Sequence, residues 1–120
     1  MKDITIKISD ISPRCLTSSA GQILLSKLEY YLPINDKVIL DFNGITMFAS
    51  LYFNNSITKL IPNYPSSIIN QRIVIINMNE TGKKALSRSL EVGSEYYKLN
   101  QDEKRQVHEI IKKNLSDWQS

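Results

Sequence analysis

Two short, unbroken aliphatic runs, Val38-Ile39-Leu40 and Ile73-Val74-Ile75-Ile76, each stand between stretches of helical spacing. A strand that is apolar at every position is one buried on both faces, as inside a parallel sheet, so the two runs predict central strands. Ahead of them, Ile4, Ile6 and Ile8 alternate with Asp3, Thr5, Lys7 and Ser9. That period of two, with one wet face, predicts an edge strand. Between the first two strands, Ser19 with Gln22 three residues on resembles a capping box opening a helix. Ala20, Leu24, Leu28 and Tyr31 form its apolar stripe, Gln22, Ser26 and Glu29 its wet side, and Pro33 its end.

Past Phe42, the pair Asn43-Gly44 suits either a hairpin turn into Ile45–Phe48 or a strand end that bends into a helix. Phe53, Ile57, Leu60 and Ile61 recur at helical spacing and favour the second, with a helix from about Ser50 to Ile61. A turn-rich link, Pro62-Asn63-Tyr64-Pro65, leads to the second aliphatic run. From Glu80 the spacing predicts a helix with Ala85, Leu86 and Leu90 inward and Gly93 at its end. A last amphipathic helix is expected over about residues 101–118, with Asp102 and Glu103 in its first turn and Val107, Ile110, Ile111, Leu115 and Trp118 as its stripe. The order βαβαβα plus a C-terminal amphipathic helix predicts an α/β fold on a small parallel or mixed sheet, strand order 1-2-3. The first two helices are expected on one face and the last ones on the other. With no internal repeat or linker, a single domain is expected over 1–120, its core about 1–95.

Fifteen Lys and Arg against 12 Asp and Glu leave a charge of +3, and 42% of the residues are hydrophobic. That balance excludes a disordered or low-complexity chain. No apolar run approaches the roughly 18–20 residues that span a bilayer, and no secretory signal opens the sequence. The single cysteine, Cys15, has no partner within the chain, and a cytoplasmic protein is the expectation.

No catalytic motif is complete. A phosphatase-type loop after Cys15 would need an arginine where Gly21 stands. Pairing Cys15 with His108, the one histidine, as nucleophile and base has only their presence behind it. Zinc takes several Cys or His ligands, so no metal is expected. Thr81-Gly82-Lys83-Lys84 lacks the earlier glycine and the hydroxyl of a phosphate loop. Lys83, Lys84 and Arg88 nevertheless make a small basic group suited to a solvated face, an anion or a nucleic acid. Lys104, Arg105, Lys112 and Lys113 would extend that interface along the last helix, where Asp102, Glu103, Glu109 and Asp117 offset their charge. Asp41, at a strand end, suits either catalysis or a bond to the turn behind it. No cofactor is implied, and a non-enzymatic protein is expected.

The block from Val38 to Asn55 resembles the strand-to-helix core of STAS-like domains: Val38-Ile39-Leu40-Asp41-Phe42-Asn43-Gly44-Ile45, then Ala49-Ser50-Leu51-Tyr52-Phe53-Asn54-Asn55. It is similar in particular to a STAS-like bacterial family of unknown function, whose strand ends in Asp-Phe-x-Gly-Val before a Ser-x-x-Phe helix start. The likeness extends loosely over the preceding helix and over Ile73–Ile76 with Asn77-Met78-Asn79. It implies kinship with the anti-sigma-factor antagonists, which bind proteins and carry a serine phosphorylated by a histidine-kinase-like ATPase. By position that serine is Ser50, and the docking surface would comprise Asp41, Asn43, Gly44, Tyr52, Asn54 and Asn55. Ser50 equally suits the N-cap of the helix that follows. The apolar stripe of the last helix suits packing on its own domain or a homodimer.

Overall fold

A computed structural model describes residues 2–97 of the chain. Three four-residue strands, β1 (Ile4–Lys7), β2 (Val38–Asp41) and β3 (Ile73–Ile76), make a parallel sheet in the order β1-β2-β3. Four α-helices accompany them: α1 (Ser18–Tyr31), α2 (Ser50–Asn54), α3 (Ser66–Arg72) and α4 (Glu80–Tyr97). Short 3-10 turns follow β1 (Ile8–Asp10), α1 (Leu32–Ile34) and α2 (Ile57–Leu60). The α/β class, the parallel pairing and the strand order agree with the sequence pattern.

The register sets what each face carries. Ile6, Leu40 and Ile75 stand in one row and Ile4, Val38 and Ile73 in the next. All six join the core with Leu24 and Leu28 of α1, Tyr52 and Phe53 of α2, and Leu86 and Leu90 of α4. The opposite face carries Thr5, Lys7, Ile39, Asp41, Val74 and Ile76 by alternation.

Several expectations need correction. β3 is an edge of the three-stranded sheet, not a central strand. The helix over Ser50–Ile61 is two pieces: α2 stops at Asn54, and a 3-10 turn follows from Ile57. The break has a local cause. Asn55 Nδ2 donates to the Leu51 carbonyl at 2.8 Å and Ser56 Oγ to the Tyr52 carbonyl at 2.9 Å, so side chains take the acceptors that the helix would use to continue. The cap of α1 is Thr17, whose Oγ1 accepts from the Ala20 amide at 3.1 Å, two residues earlier than a box on Ser19 requires. Helix α3 carries only Ile68 and Ile69 as apolar residues, too few to form a stripe, and no such helix is read from the sequence.

Helix α4 runs through Gly93 to Tyr97, so Gly93 is interior to it. A Cβ there would meet Thr58 Cγ2 at 2.2 Å, and glycine is what lets the helix lie against the 3-10 turn. Contacts of α4 with α2 and with that turn put it on the same side as α1 and α2, not on the opposite face. The expected helix over 101–118, with its stripe, His108 and basic residues, lies outside the described residues.

Candidate functional site

The chain leaves β2 at the carboxyl ends of the strands, where open α/β sheets offer side chains from several connections at once. Phe42 is buried, and its carbonyl accepts from the Ile45 amide at 3.0 Å, closing a turn over Asn43-Gly44. Gly44 has φ +84°, the left-handed region that residues with a Cβ avoid. Because both neighbours of β2 are the parallel strands β1 and β3, this is a turn out of a strand and not the tip of a hairpin. Ile45 then turns inward to 4% exposure.

Residues 46–49 are held from both sides. On one, Cys15 N–H donates to the Met47 carbonyl at 3.1 Å and Ala49 N–H to the Cys15 carbonyl at 2.9 Å, a parallel bridge to the connection between β1 and α1. On the other, Asn79 Nδ2 donates to the Thr46 carbonyl at 3.4 Å. Phe48 points inward, its ring near parallel to Phe53 at 6.1 Å and tilted against Phe42 at 5.8 Å. What remains outward is Asn43, Gly44, Thr46 and Met47, the last 47% exposed.

Asp41 braces this loop. Its Oδ1 accepts from the Asn43 amide and from Asn77 Nδ2, both at 2.9 Å. Those bonds, the Asn77 amide foremost, with Lys7 adding its charge, hold the carboxyl below its ordinary value. Asn77 reaches it from a left-handed backbone (φ +59°), a conformation asparagine tolerates better than most residues. Asn79 Oδ1 accepts from the Gly82 amide at 2.8 Å at the start of α4. Asn77 and Asn79 thus join two connections. The sequence signal for them is the Asn-x-Asn pattern after a strand, one residue for a left-handed turn and one for a helix start.

The other sequence candidates divide. Ser50 is the first residue of α2 and not its cap; that position is Ala49, which offers no side-chain acceptor. Its hydroxyl is half-buried and turns toward the Ala85 carbonyl of α4 at 3.4 Å. Tyr52, expected on the docking surface, is 1% exposed and therefore belongs to the core. Its hydroxyl is buried with no nitrogen or oxygen partner and faces the Cys15 thiol. Asn54 lies at the surface, with its Oδ1 accepting from Ser89 Oγ at 2.5 Å, and half-buried Asn55 is spent on the end of α2. Neither of these two adjoins the exposed tip of the loop in role: both fasten α2.

Burial pushes the Cys15 thiol up to about 11, an effect only partly offset by its contact with the Tyr52 hydroxyl. At neutral pH the sulfur is held protonated, which suits packing and not nucleophilic attack. Lys83, Lys84 and Arg88 are exposed on α4, and Lys83 Nζ lies 3.5 Å from Glu80. Among the described residues no three His, Cys, Asp or Glu side chains are grouped to hold a metal ion, and no helix is long and apolar enough to cross a membrane.

A family model described as a STAS-like domain of unknown function matches residues 20–83, the stretch from α1 to the start of α4 that includes the whole loop. No curated protein and no solved structure matches the chain.

Proposed function

The chain belongs to that STAS-like family of domains of unknown function, and on this premise we propose that it is a non-catalytic regulatory module that docks a protein partner at the loop between β2 and α2. The observation that carries the reading is the loop itself. It is fastened to Cys15 on one flank and to Asn79 on the other, yet it leaves Asn43, Gly44, Thr46 and Met47 in solvent. A surface fixed before contact loses little conformational freedom on binding, which favours docking. A flexible, exposed methionine adds an apolar contact that adapts to its partner.

The partner class implied by the family resemblance is an ATPase of the histidine-kinase type, with Ser50 as the position through which it regulates docking. The Ser50 hydroxyl donates to a carbonyl of α4. A phosphate there has lost that donor and adds about two negative charges beside a carbonyl oxygen, so modification would push α4 away from α2.

The experiment places a photo-crosslinking residue at Met47 in cells that make the protein, with Glu29, an exposed residue of α1, as the control position. A discrete protein adduct at Met47 and none at Glu29 is the expected result. Equal capture at both positions, or none at Met47, removes the docking reading. An adduct digested by nuclease instead transfers the function to the basic group Lys83, Lys84 and Arg88. Binding of the captured partner to Ser50→Ala and Ser50→Asp then tests regulation: equal affinity for both and for the parent chain excludes Ser50 as the switch.

A further inference from the structure

One face of the sheet is covered and the other is not. Ile39 and Val74 pair in register, and Ile76 stands two residues on along β3, opposite Asp41; all three lie on the face away from α1, α2 and α4, and none of them joins the core or packs against it. Ile76 is 36% exposed. Parallel strands occur almost only where both faces are buried, so three adjacent aliphatic side chains on this one call for a cover that the described residues do not supply.

The chain carries a suitable piece. Helix α4 starts beside the carboxyl ends of the strands, and its 18 residues run about 27 Å, well past strands only about 13 Å long. Its last residue, Tyr97, therefore lies toward the amino-end side of the sheet. Six extended residues, 98–103, reach about 20 Å, enough to pass two layer spacings of about 10 Å around the β3 edge. The stripe Val107, Ile110, Ile111, Leu115 and Trp118 comes next. A tether this short holds the stripe at an effective concentration in the millimolar range, ahead of a second copy or another protein.

We propose that residues 104–118, the stripe-bearing part of the helix expected over about 101–118, lie as an amphipathic helix across Ile39, Val74 and Ile76 of their own chain, completing a three-layer domain. Trp118 is the only tryptophan and lies on the stripe, so it reports on the contact directly. In the full chain its emission is blue-shifted and several-fold protected from acrylamide, at every protein concentration, while light scattering gives a monomer. Val74→Lys places a charge in the middle of the face and removes most of that protection with the far-UV circular dichroism of the remaining domain retained. Where that variant does not fold, Ile76→Lys, at the exposed strand end, gives the same direction of change. Free quenching of Trp118 in the parent chain overturns the proposal, and so does protection that neither lysine alters. Protection that appears only as dimers form assigns the face to a second copy and overturns it as well.

Discussion

Replacing Gly93 with alanine sets two effects of opposite sign against each other. In an exposed helix interior the change would stabilise by about 1 kcal/mol, because alanine loses less backbone freedom. Here the added Cβ would stand 2.2 Å from Thr58 Cγ2 and 3.3 Å from Ile61 Cδ1. Thr58 is 4% exposed and cannot simply swing away. Ser89 Oγ gives its one proton to Asn54 Oδ1 at 2.5 Å, so the contact of 2.6 Å between Thr58 and Ser89 has Thr58 as donor. Rotating Thr58 breaks that bond at a net cost of about 1 kcal/mol, and moving α4 instead incurs overpacking of about 1–3 kcal/mol. The steric side wins, and Gly93→Ala is expected to destabilise by about 1–3 kcal/mol, read as a lower midpoint in urea with an unchanged slope. Thr58→Ser removes the colliding methyl and keeps the donor. In that background Gly93→Ala should become neutral or stabilising by up to about 1 kcal/mol. A Gly93→Ala variant as stable as its parent, or no difference between the two backgrounds, would refute the close packing of α4 on the 3-10 turn.

Three further outcomes follow from the same geometry. Thr17→Ala, which removes the acceptor for the Ala20 amide, should cost about 1 kcal/mol in denaturation, against a few tenths for Ser19→Ala; equal effects would return the cap to Ser19. Because Asp41 is held below its ordinary 3.8 in the folded chain, its ionised form adds stability that is complete above about pH 5 and lost as pH falls through the folded value. Asp41→Asn should therefore unfold earlier than its parent at pH 7, and the gap should narrow as pH falls below the ordinary carboxylate range, a narrowing that urea titrations over a series of pH values would reveal or deny. Cys15, buried and pushed up to about 11, should resist iodoacetamide at pH 8 in the folded chain and react once urea unfolds it; rapid labelling of the native protein would contradict its burial.

Strong periodicity was the readable part of this fold. β1 alternates, β2 is apolar from Val38 to Leu40, and the stripe of α1 names Leu24 and Leu28, which are fully buried. Failures cluster where polar side chains bond to nearby backbone. Thr17 and Ser19 are both credible caps by type, and only the geometry of the Ala20 amide separates them. Asn55 and Ser56 end α2 although the apolar spacing continues through Ile57 and Leu60, because spacing records which residues face the core and not whether the backbone between them stays helical. β3 misled for another reason: an aliphatic run signals that two faces are to be covered, and says nothing about how many neighbours lie beside the strand. At the site, Asp41, Asn43 and Gly44 stood out by type, while Met47 and Asn79 enter through the path of the backbone. Tyr52 was misplaced because an aromatic early in a short helix gives no sign of which way it turns.

The inward face of α4 shows the same limit and ties the loop to the rest of the domain. Apolar spacing suggested Ala85, Leu86 and Leu90, of which Ala85 faces α2, but that side is otherwise not marked by hydrophobicity and is small throughout: Gly82 meets Phe48 and Met78, Ala85 meets Ser50, Ser89 bonds to Thr58 and Asn54, and Gly93 meets Thr58. Spaced three and four residues apart, these four lie along one helical face. Apart from Met78, each contact is with a residue of the loop, of α2 or of the turn after it, so α4 lies along the whole path from Phe48 to Thr58. Close packing of this kind has little slack, since a ridge of small residues permits one separation and an inserted group must move the helix as a body. A phosphate at Ser50, as in the proposed function, would therefore act first on Ala85 and α4, and through Gly82 on the Phe48 that anchors the exposed Met47 loop. The route from the half-buried serine to the proposed docking surface would then be mechanical, and a partner at the loop would sense Ser50 without touching it.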